Sequence, residues 1–305
     1  SSGPAPALAD ADFLRGKYGE IPMQGWYSVN VPGIPAAWAA AHKRFGRLPF
    51  AGLFNDAIAY AKDGYPVAPV VSRIWRGDLE LFRPLKGEEV FEPWFETFAP
   101  EMRSPAAGEL VRLPHHAETL RELAETGCES FYRGRLAREI DAWSRKTGGW
   151  LRAEDLAAFH PQWVEPIGID YRGYRVWELP PNGHGLVVLM TLGILSGFDR
   201  LDGSPESVHR AIEAMKLAYA DGKRYIAEPG AMEYTAAQFL NSDYLASRRA
   251  LIGHEAIEPM PGSPNCGGTV YFCTADGEGN MVSWIQSNYE DFGSGVVVPG
   301  TGIAL

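Results

Sequence analysis

The spacing of apolar residues along the chain predicts a mainly helical protein with a few short strands. Segments in which apolar positions recur with the helical period of about 3.6 residues alternate with connections rich in glycine, proline and polar residues. Further helices are expected between residues 67 and 100, where the pattern does not define their ends. The other predicted helices cover residues 9–17, 35–45, 49–62, 117–126, 129–146, 186–195 and 239–252, the last of them broken once, and one more begins at Ser204-Pro205.

Several of these helices have a face that the pattern predicts to be buried. The helix at 186–195 is apolar on nearly every side, which is typical of a fully buried helix. In the helix that begins at Ser204, Glu213 and Lys216 lie three residues apart and predict a surface or semi-buried ion pair. The predicted apolar face of the helix at 49–62 consists of Leu53, Phe54, Ala57, Ile58 and Ala61. That of the helix at 129–146 consists of Phe131, Leu136, Ile140 and Trp143. That of the helix after Ser204 consists of Val208, Ala211, Ile212, Met215 and Tyr219.

Strands are predicted where β-branched and aromatic residues alternate with polar ones. This pattern predicts one strand at 26–31 and an antiparallel pair at 163–169 and 174–179. Residues 269–274 and 281–287 predict a hairpin around a turn at 276–280. Too few residues follow this hairpin to complete a sheet of its own. We therefore expect it to join strands formed earlier, or the chain to be incomplete.

Composition and charge narrow the class of protein. The 305 residues are 46% hydrophobic and 22% charged, which predicts a globular protein of one large or two smaller domains. A formal net charge of −10 argues against a nucleic-acid or anionic-membrane partner, because both are bound by clustered Lys and Arg. The longest apolar run is about half as long as a membrane-spanning helix. The first residues show no signal-peptide pattern. The sequence does not decide between a cytoplasmic and a periplasmic location.

Cysteine and histidine residues show no recognisable metal-binding motif. Cys128, Cys266 and Cys273 are too few for a disulfide scaffold and lack the Cys-x-x-Cys spacing of structural zinc sites. The adjacent His115 and His116 are interpreted as exposed loop histidines, because neighbouring residues cannot easily bind one metal ion together. We predict neither a metal ion nor another cofactor.

The loop at 180–185 allows two interpretations. It is either a tight strand-to-helix turn, or a site where the free N–H groups of the following helix bind an anion or a carbonyl group. His184, within this loop, is interpreted as a structural hydrogen-bonding residue rather than as a catalytic base.

The stretch Gly267-Gly268-Thr269 contains the candidate nucleophile. An internal threonine hydroxyl is a poor nucleophile, but a threonine with a free α-amine carries its own base, since that amine titrates near pH 8, roughly. Cleavage before Thr269 would create the amine, and the glycine pair permits the unusual backbone angles of a strained scissile bond. The same pattern also fits an ordinary loop-to-strand junction.

Short motifs occur in a defined order along nearly the whole chain. They are Val29-Asn30-Val31-Pro32-Gly33, Phe45-Gly46-Arg47-Leu48-Pro49-Phe50, Phe131-Tyr132-Arg133-Gly134 with Leu136-Ala137, Gly148-Gly149, Glu154-Asp155-Leu156, Pro180-Pro181-Asn182-Gly183-His184-Gly185, Gly279-Asn280-Met281-Val282-Ser283 and Phe292-Gly293-Ser294-Gly295. In this order they resemble the γ-glutamyltransferase family of N-terminal-nucleophile (Ntn) hydrolases. The resemblance implies an α+β fold, a four-layer αββα sandwich that is apparently incomplete at both ends here. It also implies a precursor that cleaves itself between Gly268 and Thr269.

The resemblance implies roles for individual residues. Thr269 is the nucleophile that forms an acyl-enzyme, and Ser287 stands where the family has a second threonine that hydrogen-bonds the nucleophile. Cys266, three residues before Thr269, is a weaker rival because it does not begin the strand. Two substrate-binding positions depart from the family pattern. Ser2 stands where the family has the arginine that binds the substrate α-carboxylate, and Tyr289 stands where it has an asparagine that binds the glutamyl group.

Two further departures follow the nucleophile, where Val270 and Tyr271 replace the family's threonine and histidine. We therefore expect the catalytic chemistry to be kept and glutamyl recognition to be altered, since a hydroxyl cannot replace a bidentate guanidinium. The family's serine pair and glycine pair would lie beyond Leu305, which implies that these residues are a fragment.

The resemblance also implies an organisation and partners. Residues 1–268 correspond to a large-subunit-like region and 269–305 to the start of a small-subunit-like region. The implied partners are a small-molecule γ-glutamyl or related acyl substrate and the chain's own second cleaved subunit, and a homo-oligomer is possible. The leading hypothesis is a self-processing amide hydrolase or acyltransferase. The alternatives are a cephalosporin or glutaryl acylase-like hydrolase, and a non-catalytic family member or fragment.

Overall fold

A computed structural model describes residues 3–198, 202–260, 270–289 and 291–305. Short 3₁₀ turns connect several of its helices. The α-helices are α1 Ala11–Tyr18, α2 Ile34–Phe45, α3 Asn55–Asp63, α4 Pro69–Phe82, α5 Glu92–Phe98, α6 Pro114–Thr126, α7 Glu129–Arg133, α8 Arg135–Lys146, α9 Ala153–Ala158, α10 Gly185–Leu195, α11 Pro205–Tyr225, α12 Ala236–Phe239 and α13 Ser242–Arg249. The strands are β1 Tyr65–Pro66, β2 Leu110–Val111, β3 Ile167–Tyr171, β4 Tyr174–Glu178, β5 Val270–Ala275 and β6 Met281–Gln286.

The described strands form three antiparallel pairs, β1–β2, β3–β4 and β5–β6. The predicted pair after residue 163 and the predicted C-terminal hairpin are therefore confirmed. The expectation that the hairpin joins earlier strands is not met among the described residues, because there β5 and β6 pair only with each other.

The chain divides into two compact units. The first unit contains the described residues of Ser2–Pro161 and Gly267–Leu305, and the second contains those of Gln162–Cys266. Each unit is described by itself below.

The first unit has two apolar clusters, and one extended segment contributes to both. Val296 and Val298 are buried in the cluster built by α7, α8 and α9, whereas Val297 is buried in the cluster built by α4 and α5. Successive side chains of an extended segment point to opposite sides, so three consecutive valines can serve two clusters. The end of the chain is thus part of the core that earlier helices build.

The second unit is built on α10. Leu186, Met190 and Ile194 are fully buried against α11, α13 and β3. Small residues permit this close packing, since a Cβ on Gly222 of α11 would lie 2.5 Å from Val187 Cγ2. The predicted burial of the helix at 186–195 is confirmed.

The predicted buried face of α11 is wrong. The face in contact with α10 consists of small and medium residues such as Ala214, Leu217 and Ala218, which let the two helices approach closely. The residues that periodicity placed inside are partly open to solvent: Val208, Ile212, Met215 and Tyr219 are 49%, 47%, 46% and 39% exposed. Glu213 is 1% exposed and the Lys216 side chain is 29% exposed, so their ion pair is semi-buried, which is one of the two predicted alternatives.

Two further predictions are corrected. Residues 26–31 contain a 3₁₀ turn, Trp26–Ser28, instead of a strand, because Ser28 Oγ donates back to the Gly25 carbonyl at 3.1 Å. The predicted helix at 129–146 is two helices separated at Gly134, where a Cβ would lie 2.6 Å from Ser130 Cα. The predicted break in the helix at 239–252 is confirmed as the gap between α12 and α13.

Of the two adjacent histidines predicted to be exposed in a loop, only His115 is exposed. Pro114 begins α6, so both residues lie in the first helical turn rather than in a loop. His115 is exposed, but His116 is half-buried and its ring lies against Gly302, where a Cβ would be 2.3 Å from Nδ1.

Candidate functional site

The hairpin β5–β6 carries the residue that follows the predicted nucleophile and the residue that precedes Ser287. Its register pairs Val270 with Gln286 and Ala275 with Met281. Val270 directly follows Thr269 in the chain, and Gln286 directly precedes Ser287. Four other candidates lie outside the described residues together with Thr269: Ser2, Cys266, Gly267 and Gly268.

The turn at the far end of the hairpin is closed by Asp276. Its Oδ1 accepts the backbone N–H groups of Glu278 and Asn280 at 2.9 and 3.0 Å, and its Oδ2 accepts Asn280 Nδ2 at 2.8 Å. These bonds, led by the Asn280 side chain, lower the pKa of the Asp276 carboxyl. Gly279 supplies the positive φ of 86° that the turn requires. The register of the hairpin is thus fixed by its own turn.

The other end of the hairpin is anchored by two tryptophans. Gln286 Oε1 accepts Trp284 Nε1 at 3.0 Å and Trp38 Nε1, from α2, at 3.2 Å. Trp38 packs against the cluster that contains Phe54. The hydrogen bonds therefore connect the last residue of β6 to the core of the first unit. Sequence reasoning did not identify this contact, although two indole N–H groups that need acceptors were a signal.

Ser287 and Tyr289 are brought together directly after β6. The Tyr289 backbone N–H donates to Ser287 Oγ at 2.8 Å. Tyr289 is 51% exposed and has a positive φ of 81°, a conformation that asparagine adopts more readily than tyrosine. Ser287 Oγ is therefore oriented by the backbone, and the Tyr289 side chain is available to a ligand.

The segment after Tyr289 returns the chain to the core. Gly25 N–H donates to the Ser294 carbonyl at 2.8 Å, and Ser294 N–H donates to the Leu305 carbonyl at 3.0 Å. Gly295 has a φ of 73°, and a Cβ there would lie 2.2 Å from the ring of Phe82. Only glycine fits this position, which explains why this segment carries a Gly-Ser-Gly sequence.

Of the other candidate groups that the structure describes, none forms a second reactive centre. Burial raises the pKa of the Cys128 thiol to about 12, so this residue is not a thiolate at neutral pH. His184 is exposed at the start of α10, and the Glu178 carboxylate lies against Gly185 at the same helix end. Among the described residues, no group of three His, Cys, Asp or Glu side chains is placed to hold a metal ion. In the same part of the chain, no helix combines the length and the apolar character needed to cross a membrane.

Comparison with known proteins gives consistent matches over the whole chain. The family model described as gamma-glutamyltranspeptidase matches residues 1–305. The chain is 32% identical over 308 residues to the glutathione hydrolase-like YwrD proenzyme of Bacillus subtilis, covering 100% of this chain and 57% of that protein. It is 34% identical over 310 residues to the oxamate amidohydrolase proenzyme of Klebsiella pneumoniae, covering 99% and 57%. The chain thus spans little more than half the length of these curated relatives.

Two solved structures resemble the fold. Cephalosporin acylase from Bacillus halodurans superposes with a TM-score of 0.94 at 50% identity, covering 100% of this chain and 56% of the acylase. Helicobacter pylori gamma-glutamyltranspeptidase superposes with a TM-score of 0.74 at 25% identity, covering 84% and 74%. The predicted α+β class and Ntn-hydrolase fold are confirmed. The chain belongs to the gamma-glutamyltranspeptidase family.

Proposed function

We propose that the full-length protein is a self-processing amidohydrolase or acyltransferase whose nucleophile is Thr269. The precursor cleaves itself between Gly268 and Thr269, and the new α-amine of Thr269 acts as the base for its hydroxyl. The bond between residues 268 and 269 is then the boundary between the large-subunit-like and small-subunit-like regions.

The register of the hairpin is the observation that carries this proposal. The first described pair of β5 and β6 joins Val270 to Gln286, which are the chain neighbours of Thr269 and Ser287. Ser287 Oγ is already oriented by the Tyr289 N–H at 2.8 Å. We assign Ser287 to hydrogen-bond the nucleophile hydroxyl, as the threonine at this position does in the family.

The reaction follows from these groups. Thr269 Oγ attacks the carbonyl carbon of an amide, and the α-amine takes the hydroxyl proton. The tetrahedral intermediate collapses, the carbon–nitrogen bond breaks, and the leaving amine receives that proton. Water or an acceptor amine then attacks the Thr269 ester and releases the acyl group as an acid or as a new amide. No metal ion or cofactor enters these steps.

Two kinds of acyl group are candidates for the part of the substrate that is transferred to Thr269. A γ-glutamyl donor fits the family and the glutathione hydrolase-like relative. A donor without an α-amino acid head, such as a glutaryl amide, fits the departures at Ser2 and Tyr289 and the 50% identity to a cephalosporin acylase. Loss of the arginine removes the need for an α-carboxylate. We therefore propose amides of dicarboxylic acids, such as glutaryl amides, as a second class of acyl donor beside γ-glutamyl compounds.

The test uses purified full-length protein, its Thr269→Ala variant and a pair of chromogenic anilides, γ-glutamyl and glutaryl. We expect wild type to appear in a mass spectrum as two fragments that meet at Gly268/Thr269 and to release the aniline from at least one substrate. Thr269→Ala should remain one intact, inactive chain, and Thr269→Ser is the matched control that keeps a hydroxyl.

An intact wild-type chain without turnover on either anilide would instead support the non-catalytic alternative. The ratio of kcat/KM for the two anilides decides between the acyl groups.

A further inference from the structure

The first unit contains a cavity of about 310 Å³ between α2, α7 and residues 159–161. This volume is at the lower end of the range of small-molecule sites, which is about 300–1,000 Å³. None of the described residues that line the cavity has a role in the proposed reaction. A ligand that binds there would therefore add a property beyond that reaction.

Helix α2 supplies a wall that is apolar along its length and ends in a cation. Ala36, Ala39, Ala40 and Lys43 all line the cavity, and their spacing places them on one face of the helix. Because an alanine side chain is a single methyl group, this face leaves space that a larger apolar side chain would fill. The cavity thus follows directly from the sequence of α2.

The opposite wall is held at a fixed distance from α2. Tyr132 of α7 donates its hydroxyl to the Pro32 carbonyl at 2.9 Å and accepts the Ala36 backbone N–H at 3.1 Å. Its ring stacks on Phe159, with centroids 5.6 Å apart and an angle of 17° between the planes. Since these bonds join α7 to the start of α2, the two helices cannot close together and the cavity persists.

Cys128 gives the cavity a neutral polar group. It lines the cavity and is only 2% exposed. In the described part of the chain its thiol forms no hydrogen bond. Burial raises the pKa of this thiol to about 12, so it carries no negative charge at neutral pH. The thiol therefore does not repel an anion, and it is a weak donor without a partner.

The charges at the rim leave one cation over. Arg133 Nη1 donates to Glu129 Oε2 at 3.0 Å, so these two opposite charges compensate each other. Lys43 forms no ion pair with any residue that the structure describes. His160, the remaining titratable side chain at the rim, can only add positive charge. The rim is thus electropositive although the chain has a formal net charge of −10.

We propose that this cavity binds a small carboxylic acid with an aromatic or aliphatic body, as the anion. The carboxylate pairs with the Lys43 ammonium, and the body of the ligand lies between the alanines of α2 and the stacked rings of Tyr132 and Phe159. A neutral amide of the same shape keeps the apolar contacts and loses the ion pair. Organic cations are disfavoured by the charge of Lys43.

The experiment is calorimetric titration of the full-length protein with 2-naphthoate and with its neutral counterpart, 2-naphthamide. We expect 2-naphthoate to bind about fivefold more tightly than 2-naphthamide, since an exposed ion pair contributes up to about this factor. Lys43→Met should weaken binding of 2-naphthoate about fivefold and leave binding of 2-naphthamide unchanged. Lys62→Met is the matched control, because Lys62 is an exposed lysine of α3 outside the cavity lining.

A second variant fills the cavity without touching its charge. Ala40 lines the cavity but is not packed against the apolar cluster of α7, α8 and α9. Ala40→Leu should therefore keep the melting temperature of wild type and weaken the binding of both probes by more than about tenfold. The two substitutions thus separate the apolar contacts from the ion pair.

Three results would overturn the proposal. The first is wild type that binds neither probe at millimolar concentrations. The second is a folded Ala40→Leu variant that binds both probes as wild type does, because the probes would then bind elsewhere. The third is a Lys43→Met variant that binds 2-naphthoate like the Lys62→Met control, and this result decides alone if Ala40→Leu does not fold.

Discussion

At the scale of single residues, local environment rather than residue type decides what a side chain can do. His116 illustrates this, because one position after the exposed His115 its half-buried ring lies against Gly302 and the ring of Phe98. Its buried Nδ1 has no hydrogen-bond partner in the described structure. Burial, and to a lesser extent the charge of His115, lower the pKa of His116 to about 4.

This pKa predicts a dependence of stability on pH. The unfolded chain binds a proton at His116 below about pH 6.5, whereas the folded protein does not until about pH 4. The stabilising contribution is therefore complete above pH 6.5 and is lost as the pH falls from about 6.5 to 4, by at most on the order of 3 kcal/mol. His116→Leu should flatten this part of the pH profile in urea unfolding.

The control is His115→Leu, which should keep the loss of stability in acid because its side chain is exposed. An unchanged slope between pH 4 and 6.5 in His116→Leu would show that His116 does not cause it.

At the scale of elements, periodicity correctly located most helices and identified the buried face of α7 and α8, where Phe131, Leu136, Ile140 and Trp143 are all buried, but it failed for α11. The apolar stripe of α11 is partly exposed, and its small residues pack against α10 instead. The hairpin β5–β6 was predicted from its strand residues and turn, but its anchoring to α2 depends on Gln286, a residue with no apolar signal.

This anchor can be tested by Gln286→Leu. The substitution leaves the indole N–H groups of Trp38 and Trp284 without their common acceptor, and we expect a loss of about 1–2 kcal/mol in the free energy of unfolding. Tryptophan fluorescence and urea unfolding measure the effect. Gln286→Glu keeps the acceptor oxygens and should stay within about 0.5 kcal/mol of wild type. Equal stability of the two variants would show that the indole contacts contribute nothing.

At the scale of the whole molecule, the two fragments expected from cleavage do not correspond to the two compact units. The proposed cut falls between residues 268 and 269, but the first compact unit contains residues from both sides of it. Val296, Val297 and Val298, which follow the cut, are buried in clusters made largely by residues before position 161. Cleavage should therefore leave the two pieces associated.

The prediction is that both fragments of the cleaved protein co-elute in gel filtration under native conditions and separate only in denaturant. Val297→Ala should lower the free energy of unfolding by about 2 kcal/mol, because it removes two buried methyl groups. Val282→Ala, in the exposed hairpin, should change it by less than about 0.5 kcal/mol. Fragments that separate without denaturant would contradict this account.

The sequence by itself determined the family, the order and type of most elements, and the candidate nucleophile, because these depend on short motifs and on local periodicity. It could not determine the packing partners. The hydrogen bond from Lys216 to the Ile257 carbonyl, the two indoles on Gln286 and the contact of His116 with Gly302 join residues that are far apart in the chain or differ in burial from their neighbours. Only the tertiary structure decided them, since burial and hydrogen bonding follow from where distant segments meet, and no local pattern encodes that meeting.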